Sequence, residues 1–257
     1  MVLEREASTA GTPRIGIVIP TLNEASTLPA LLERLGRPLD AEQARETFDH
    51  PDVPDEIVVV DGGSHDETRE LASRAGVAVI RGHRGRGAQL ARGASALSTD
   101  VLLFLHSDTT PDAGALEVLR DAYRDESVQW SAMAQYIAAR GTAYRWIERA
   151  SNGRARRGRV FGDCGLAMRK EVYARVGGFA DLPIFEDVEL AARLRRLAPV
   201  QWLAGARLSV SPRRWEREGQ VRCTLRNWTL RMAFWLGVSP AQLARCYPPH
   251  SEADAKE

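Results

Sequence analysis

The sequence predicts an α/β fold, in which a mostly parallel, twisted sheet is flanked by helices and an amphipathic helix follows near the C-terminus. Three observations support this prediction. Short runs rich in Val, Ile and Leu alternate with amphipathic segments over residues 15–125, as in folds built from βαβ units. Several of these runs are apolar throughout, as parallel strands covered on both faces are. Polar clusters directly follow three of the runs.

The first half of the chain supplies the alternating elements. Strands are predicted, from their apolar and β-branched composition, at residues 15–19, 57–60, 77–80 and 101–105. Helices are predicted at the leucine-rich residues 28–35, at residues 65–75 and 87–97, and from Pro111, which fits the first helical position with Thr110 as the cap. Residues 36–55 contain prolines and many charges, which indicates a loop with room for a short helical piece.

The second half is less regular. Residues 128–139 are predicted as a strand region, residues 142–157 as a helix with a basic end, and residues 185–197 as a helix with an acidic start. Towards the C-terminus, apolar side chains recur at alternating spacings of four and three, which places them on one face of a helix. This apolar seam consists of Val221, Leu225, Trp228, Met232 and Trp235.

Composition narrows the class of protein. A chain of 257 residues with 44% hydrophobic content is long enough for one large α/β domain. A formal net charge of +1 argues against a nucleic-acid-binding protein. Three cysteines far apart argue against a disulfide scaffold or a zinc cluster and favour a reducing cytoplasm. The polar N-terminus predicts no signal peptide, and the longest apolar run, residues 101–105, is too short to span a bilayer.

Ligand-binding residues are expected at the carboxyl ends of the predicted strands, because open parallel sheets bind their ligands there. The polar clusters lie at these ends, at residues 20–24 (Pro-Thr-Leu-Asn-Glu), 61–64 (Asp-Gly-Gly-Ser) and 106–108 (His-Ser-Asp). Three clusters at corresponding strand ends predict one shared site.

The third cluster contains a candidate metal ligand, Asp108. When a sugar leaves a nucleotide diphosphate, negative charge builds on the leaving oxygen, and a divalent cation can neutralise it. Mg²⁺ and Mn²⁺ prefer oxygen ligands, and one carboxylate combined with phosphate oxygens is a common arrangement. The alternative is that Asp108 caps the turn into the following helix.

The first two clusters each allow two interpretations. Asp61 can accept a hydrogen bond from a base or a ribose, and the glycines after it allow close backbone approach. Ser64 and Glu67 fit a capping box and are assigned to structure. Thr21 and Glu24 also fit a capping box, which is an alternative to contact with a nucleoside.

A glycine- and arginine-rich segment precedes the helix predicted at residues 87–97. Arg84 and Arg86, with the free N–H groups of a helix start, would suit an anion such as a phosphate. The alternative is a solvated basic loop.

Carboxylates at the start of the helix predicted at residues 185–197 include a candidate general base. A hydroxyl that attacks an anomeric carbon must lose its proton as the new bond forms. The alternative is favourable pairing of Glu186, Asp187 and Glu189 with the helix dipole. The spacing of these acids does not show whether Glu186 or Asp187 would be the base.

Six motifs taken together resemble the family-2 glycosyltransferases of the GT-A fold, and the resemblance runs from about Ile15 to the region of Trp215. The closest similarity is to a bacterial subgroup with a His-x-Asp metal motif, often named for arsenosugar biosynthesis. The motifs are residues 20–24, Asp61-Gly-Gly-Ser-x-Asp-x-Thr68, Gly85-Arg-x-x-Gln89, residues 104–108, Gly162-Asp-Cys-Gly165 and Glu186-Asp-Val-Glu-Leu190.

The resemblance implies roles for these residues. Asp108, with His106, would bind Mn²⁺ or Mg²⁺, and Asp187 of the Glu186–Asp187 pair would be the base of an inverting displacement. Thr21, Glu24 and Asp61 would hold the nucleoside, typically uridine, while Arg86 and Gln89 would lie near the donor phosphates or sugar. The remaining residues implied around the substrates are Pro20, Ser107, Asp163, Cys164 and Gly165.

Three positions depart from the family's pattern. His106 stands where the family has the first of two metal-binding acids, so it either ligates the cation or orients the donor. Cys164 replaces the glutamine that is usual in the subgroup, and it is either a small buried residue or a partly exposed thiol beside the acceptor. Ala91 replaces a common asparagine, which removes one expected sugar contact.

These observations predict a cytoplasmic, inverting glycosyltransferase that uses a nucleotide-diphosphate donor, with UDP-sugar favoured, and a small soluble acceptor. The alternatives are transfer to a polyprenyl phosphate or other membrane lipid, and a sugar nucleotidyltransferase. Residues 213–238 would pack on the domain or a second subunit, or would bind a membrane surface. The predicted organisation is a disordered tail (1–13), a GT-A catalytic domain (14–212) with nucleotide-binding (14–125) and acceptor (126–212) halves, a helical segment (213–247) and a second tail (248–257).

Overall fold

The computed structural model describes residues 11–39 and 50–247. Its strands are β1 (Ile15–Thr21), β2 (Glu56–Asp61), β3 (Ala78–Arg81), β4 (Val101–Phe104), β5 (Thr109–Pro111), β6 (Trp130–Ile137), β7 (Leu166–Arg169) and β8 (Gln201–Val210). Its helices are α1 (Leu28–Arg34), α2 (Thr68–Arg74), α3 (Arg86–Ala96), α4 (Ala115–Ala122), α5 (Thr142–Ala155), α6 (Lys170–Arg175), α7 (Glu186–Leu197), α8 (Arg213–Glu218), α9 (Gln220–Trp235) and α10 (Pro240–Arg245). The strands form one sheet in the order β3-β2-β1-β4-β7-β6-β8-β5.

The first half of the sheet is parallel, as predicted. β1 pairs in parallel with β2 and with β4, and β2 pairs in parallel with β3. Every residue of β1 is buried, because Ile17 and Ile19 face one core cluster while Val18 faces the other. The first cluster includes residues of α1, α2 and α4, and the second includes residues of α3 and α7. The predicted α/β fold with helices on both faces of the sheet is confirmed.

The second half of the sheet is mixed. β7 lies between β4 and β6 and is antiparallel to both, and β5 is antiparallel to β8. β6 and β8 are parallel, with an irregularity between Met133 and Ala134. Neither β7 nor β8 was predicted, because β7 has only four residues and most residues of β8 are at least partly exposed.

Three local predictions are wrong. Pro111 opens no helix: it ends β5, the last strand in the sheet order, and α4 begins at Ala115 after Gly114 adopts a φ of 78°. Proline is tolerated there because an edge strand leaves one row of N–H groups unpaired. The capping boxes at Thr21 and Ser64 do not form either, because α1 begins only at Leu28 and α2 only at Thr68.

The predicted C-terminal helix is divided into two helices, and the second packs on the domain through a face other than the apolar seam. Gly219, with a φ of 84°, separates α8 from α9. α9 packs through Leu230 and Phe234 against Ile184 and Phe185. The apolar seam faces outward instead, with exposed fractions from 37% at Met232 to 80% at Val221. The helix therefore packs on its own domain, which was one of the predicted alternatives, but it does so through a face other than the apolar seam.

Residues 1–10 of the predicted N-terminal tail, all of the predicted C-terminal tail and residues 40–49 of the predicted loop lie outside the described residues, whereas residues 11–13 have no regular structure. Within residues 11–39 and 50–247, no helix is long and apolar enough to cross a bilayer.

Candidate active site

Two adjoining cavities lie at the carboxyl ends of β1 and β4. The strand-end cavity is bordered by Pro20, Thr21, Glu24, Gln89, Ser107 and Arg213, and the helix-roofed cavity by Gln135, Arg154, Phe161, Asp163, Asp187 and Arg231. Both cavities are also bordered by Arg86, His106 and Asp108. The helix-roofed cavity has a volume of about 260 Å³. The predicted metal ligand and the predicted base, Asp108 and Asp187, therefore border one cavity.

The wall of the strand-end cavity is held by Gln89. Its side-chain amide donates hydrogen bonds to the backbone carbonyls of Thr21 (2.9 Å) and Val60 (2.7 Å), which ties α3 to β1 and β2. Thr21 is buried, and its hydroxyl has no hydrogen-bond partner among the described residues. A buried hydroxyl without a partner, in the wall of a cavity, is a candidate contact for a bound ligand.

Asp61 is occupied by its own loop. Its carboxylate accepts hydrogen bonds from the backbone N–H groups of Gly63 (3.1 Å) and Ser64 (3.0 Å) and from the Ser64 hydroxyl. Asp61 is buried and borders neither cavity. The structure gives Asp61 a loop-shaping role, and its contact with a nucleoside stays a prediction.

An arginine from the C-terminal segment lies between two predicted ligand-binding acids. Nη2 of Arg213 donates to Oε1 (3.0 Å) and Oε2 (2.9 Å) of Glu24 and lies 3.5 Å from Oδ2 of Asp108. Glu24 is otherwise held by the hydroxyl of Thr27 (2.7 Å). A positive charge already sits where a divalent cation is expected, which indicates that this position favours cations.

His106 and Asp108 fit a cation whose remaining ligands are phosphate oxygens. The Asp108 carboxylate is partly exposed towards both cavities. Burial, followed by the charge of Arg86, lowers the pKa of His106, so its imidazole is held in the neutral form that a metal requires. The described residues include no cluster of three or more His, Cys, Asp or Glu side chains able to enclose a metal. One carboxylate and one imidazole suit a metal whose other ligands come from substrate and water.

The two adjacent acids at the start of α7 have different partners. Glu186 is fully buried and pairs with the guanidinium of Arg86, with Nη2 and Oε2 separated by 3.4 Å. Arg86 is therefore bound to Glu186, and its pKa is raised by that charge despite burial, which acts in the opposite direction. Glu186 borders neither cavity.

Asp187 borders the helix-roofed cavity, and its hydrogen-bond partners in the described part of the chain are backbone groups. Its Oδ2 accepts from the N–H of Gly162 (2.6 Å) and its Oδ1 from the N–H of Val188 (2.7 Å). Burial and the neighbouring charge of Glu186 raise the pKa of Asp187 to about 6. A carboxylate with such a pKa is ionised at neutral pH and accepts a proton more readily than an ordinary aspartate does.

Phe185, just before these acids, adopts a left-handed backbone conformation with a φ of 64°. This conformation is unfavourable for a bulky residue, and it occurs here directly beside the acidic pair. The ring of Phe185 packs on Phe234 of α9, with centroids 5.1 Å apart. Packing of the C-terminal segment therefore helps to hold the start of α7.

The turn at residues 162–165 contributes two residues to the wall of the helix-roofed cavity and two to the packing behind that wall. Asp163 accepts a hydrogen bond from the Gln135 amide (3.0 Å) and borders the helix-roofed cavity. Cys164 is fully buried and its pKa is raised by that burial, so it is the small buried residue of the first interpretation and no exposed thiol. Gly165, with a φ of 57°, lies against Leu208, where a Cβ atom would approach to 2.6 Å.

Sequence reasoning missed several residues that border the cavities, among them Arg154, Phe161, Arg213 and Arg231. They lie on α5, α8, α9 and a loop, far apart in sequence. The only signal was the abundance of arginine near residues 154–159 and 213–231, which does not show which side chains point inward.

The family model described as Glycosyl transferase family 2 matches residues 16–174. The chain is 26% identical over 246 residues to Glycosyltransferase AglD of Haloferax volcanii, with 85% of this chain and 36% of that protein covered. It is 30% identical over 114 residues to glucosyl-3-phosphoglycerate synthase of Mycobacterium tuberculosis, with 41% of this chain and 32% of that protein covered. The chain thus spans about a third of the length of these curated relatives.

Solved structures share the fold at low sequence identity. The mannosyltransferase PcManGT from Pyrobaculum calidifontis, in complex with GDP-Man and Mn²⁺, matches with a TM-score of 0.58 at 18% identity, covering 93% of this chain and 66% of that chain. S. aureus TarS 1–349 matches with a TM-score of 0.60 at 17% identity, covering 77% of this chain and 61% of that chain.

Proposed function

The chain belongs to glycosyl transferase family 2, and from that premise we propose that it transfers a sugar from a nucleotide-diphosphate donor, with inversion at the anomeric carbon. The observation that carries the proposal is that Asp108 and Asp187 border one cavity. The relatives support the choice of donor: PcManGT is solved with GDP-Man and Mn²⁺, and TarS 1–349 with UDP-GlcNAc. We favour a UDP-sugar for this chain, as the sequence predicted.

The proposed reaction uses the two cavities for two substrates. The donor diphosphate would lie in the strand-end cavity, near Asp108 and His106, which would hold Mn²⁺ or Mg²⁺. Such a cation would neutralise the charge on the leaving diphosphate. The acceptor would enter the helix-roofed cavity, where its hydroxyl oxygen forms a bond to the anomeric carbon as the bond to the phosphate oxygen breaks. The nucleotide leaves with that electron pair, and the hydroxyl proton passes to the Asp187 carboxylate.

The test measures which product the purified protein releases. With UDP-sugars and Mn²⁺ we expect release of UDP, and with UTP and a sugar phosphate we expect no pyrophosphate. Asp108→Asn is expected to weaken the metal-dependent binding of UDP by roughly tenfold or more, because a charged ligand is lost. Pyrophosphate release would favour the nucleotidyltransferase alternative. Absence of UDP binding at any Mn²⁺ concentration would contradict the proposal.

A second candidate, transfer to a membrane lipid, is favoured by the apolar seam of α9. Its five side chains are exposed, and Trp146 of α5 is 67% exposed as well. The guanidinium of Arg159 lies 4.9 Å from the Trp235 ring centroid, so positive charge borders the apolar surface. Exposed tryptophans beside arginines suit the interface of an anionic bilayer.

Vesicle flotation tests this candidate. The protein is expected to float with vesicles that contain anionic lipid at physiological salt, and Trp228→Ser with Trp235→Ser is expected to abolish flotation. Recovery of the wild-type protein in the vesicle-free fraction would contradict transfer to a membrane lipid and would favour the small soluble acceptor. The finer resemblance to the subgroup named for arsenosugar biosynthesis stays a prediction in either case.

A further inference from the structure

Two arginines in the helix-roofed cavity have no acidic partner among the residues that the structure describes. Arg154 lies on α5 and Arg231 on α9, and both border the cavity. Among the described residues, no carboxylate lies within ion-pairing distance of either guanidinium, whereas Arg86, another arginine of this wall, is paired with Glu186. Partly buried cations without a counter-ion are costly, so their retention calls for a physical explanation.

The two guanidiniums are held in place by one aromatic ring. Arg154 lies 4.1 Å and Arg231 lies 5.1 Å from the centroid of the Phe161 ring. Stacking on a ring uses the flat face of a guanidinium and leaves the N–H groups at its edge free to donate. Phe161 therefore brings two helices' arginines together without satisfying their donors.

Most N–H donors of Arg154 and Arg231 are unused within the described residues. Arg154 donates one hydrogen bond from Nη2 to the Ser151 hydroxyl (3.1 Å), and its Nε is buried without a partner. No hydrogen bond to a side chain or backbone carbonyl engages Arg231 among the described residues. Unsatisfied donors in a cavity wall mark positions where a ligand supplies the acceptor.

The surrounding charges are consistent with this interpretation. Burial, followed by repulsion from Arg154, lowers the pKa of Arg231 to about 10, and burial also lowers the pKa of Arg154. The acid whose charge opposes both shifts is Asp163, and its carboxylate is bound by Gln135. An incoming anion would relieve the mutual repulsion of the two arginines.

We propose that Arg154 and Arg231 form a binding site for a phosphate monoester group on the acceptor substrate. Two guanidiniums side by side match the two charges and three oxygens of such a group, whereas a single carboxylate would engage only one of them. The site lies in the same cavity as Asp187, so the bound phosphate would anchor the acceptor beside the proposed base. This inference rests on the proposed function, because it assigns the helix-roofed cavity to the acceptor.

The phosphate monoester could belong to a soluble metabolite or to a polyprenyl phosphate in a membrane. Both present phosphate oxygens to Arg154 and Arg231, but the attacking oxygen differs. In a soluble metabolite it is a hydroxyl oxygen, which loses its proton to Asp187, whereas in a polyprenyl phosphate, which has no hydroxyl, it is an oxygen of the phosphate itself. Activity with each source separates them: UDP release is measured with glycerol 3-phosphate in solution, with vesicles containing a polyprenyl phosphate, and with neutral glycerol. We expect one of the two phosphates to stimulate UDP release at least tenfold over glycerol. Stimulation by neutral acceptors alone would overturn the inference.

Binding of inorganic phosphate gives a readout that does not depend on turnover. Calorimetric titration of phosphate is carried out on protein saturated with UDP and Mg²⁺, so that the donor cavity is filled. Arg231→Gln and Arg154→Gln are each expected to weaken phosphate binding roughly tenfold or more, because each removes charge-assisted hydrogen bonds. Arg231→Lys keeps the charge and is expected to lose less affinity than Arg231→Gln.

Matched controls come from the same helices. Arg222→Gln on α9 and Arg149→Gln on α5 change arginines that border neither cavity, and they are expected to leave phosphate affinity unchanged. Equal phosphate affinity in Arg231→Gln, Arg231→Lys and wild type, with UDP still bound and released, would overturn this inference alone. Failure to bind UDP would instead overturn the proposed function, whatever the phosphate titration shows.

Discussion

Arg86 and Glu186, one hundred residues apart in sequence, form an ion pair beside the helix-roofed cavity, which Arg86 borders. Arg86 thus binds the first acid of the Glu186–Asp187 dipeptide, whereas the second acid, within residues 11–39 and 50–247, is bound by backbone N–H groups alone. The two adjacent carboxylates consequently have different roles: Glu186 balances the charge of a partly buried arginine, and Asp187 faces the cavity.

Substitution of each acid should separate these roles. Asp187→Asn is expected to leave UDP affinity nearly unchanged and to lower turnover by roughly 10²-fold or more, the usual effect of removing a positioned base. Glu186→Gln is expected to destabilise the fold by about 2–4 kcal/mol, because Arg86 then lacks its counter-ion. Turnover and urea unfolding of both variants would check this. Near wild-type turnover in Asp187→Asn would mean that another residue is the base.

The pH dependence of the rate should follow Asp187. Its pKa of about 6 is raised by burial and by Glu186, so the carboxylate is protonated, and unable to act as a base, below that pH. We expect kcat to rise with pH through about 6 and then to level off. A rate that is flat between pH 5 and pH 8, with the protein folded throughout, would contradict the assignment.

The raised pKa of Asp187 also predicts that the fold becomes less stable when this carboxylate is ionised. Because the pKa of Asp187 is raised in the folded state above its ordinary value of 3.8, the ionised carboxylate destabilises the fold, and stability is lost as pH rises from about 4 to about 6. Asp187→Asn is therefore expected to be more stable than wild type at pH 7.5, by about 1–3 kcal/mol, and equally stable near pH 3.5. Denaturant titrations at the two pH values would measure the difference, and a variant less stable than wild type at pH 7.5 would refute the prediction.

Removal of Arg213 should change cation binding. Its guanidinium lies against both Glu24 and Asp108 and competes with any cation at Asp108. Arg213→Ala is expected to tighten Mn²⁺ binding, in the absence of nucleotide, by roughly 2- to 10-fold, since a nearby positive charge is lost. The signal of free Mn²⁺ in electron paramagnetic resonance would report this. Arg217→Ala on the same helix is the control, and equal affinities in all three proteins would argue against Asp108 as the metal ligand.

Gly162 should tolerate no side chain, because it packs against His106. A Cβ atom at residue 162 would lie 2.2 Å from Nε2 of His106. Gly162→Ala is expected to destabilise the protein by about 1–3 kcal/mol through overpacking. Gly153→Ala, in the last turn of α5, would place a Cβ atom that meets nothing within 4 Å, and it is expected to stabilise the protein by about 0.5–1 kcal/mol. Thermal unfolding of the two variants in opposite directions would confirm the contrast.

Features that depend on local sequence could be predicted from the sequence. The apolar runs of β1, β2 and β4 identify parallel strands, because burial on both faces leaves a continuous apolar pattern. The polar residues after β1 and β4 then mark the binding edge, and Pro20, Thr21, Glu24 and Asp108 do border a cavity there. Asp61 also follows a buried strand, but its carboxylate binds backbone N–H groups of its own loop and does not border a cavity.

Features that depend on distant partners appeared only in the tertiary structure. Spacing along α9 correctly grouped the apolar seam on one face, but which face packs was decided by Phe185 and Ile184, and these bury Leu230 and Phe234 instead. Likewise, Glu186 and Asp187 are equivalent in sequence until Arg86 pairs with one of them. The physical reason is that sequence periodicity determines which side chains share a face, whereas ion pairs, desolvation and cavities arise between elements that meet only when the chain has folded.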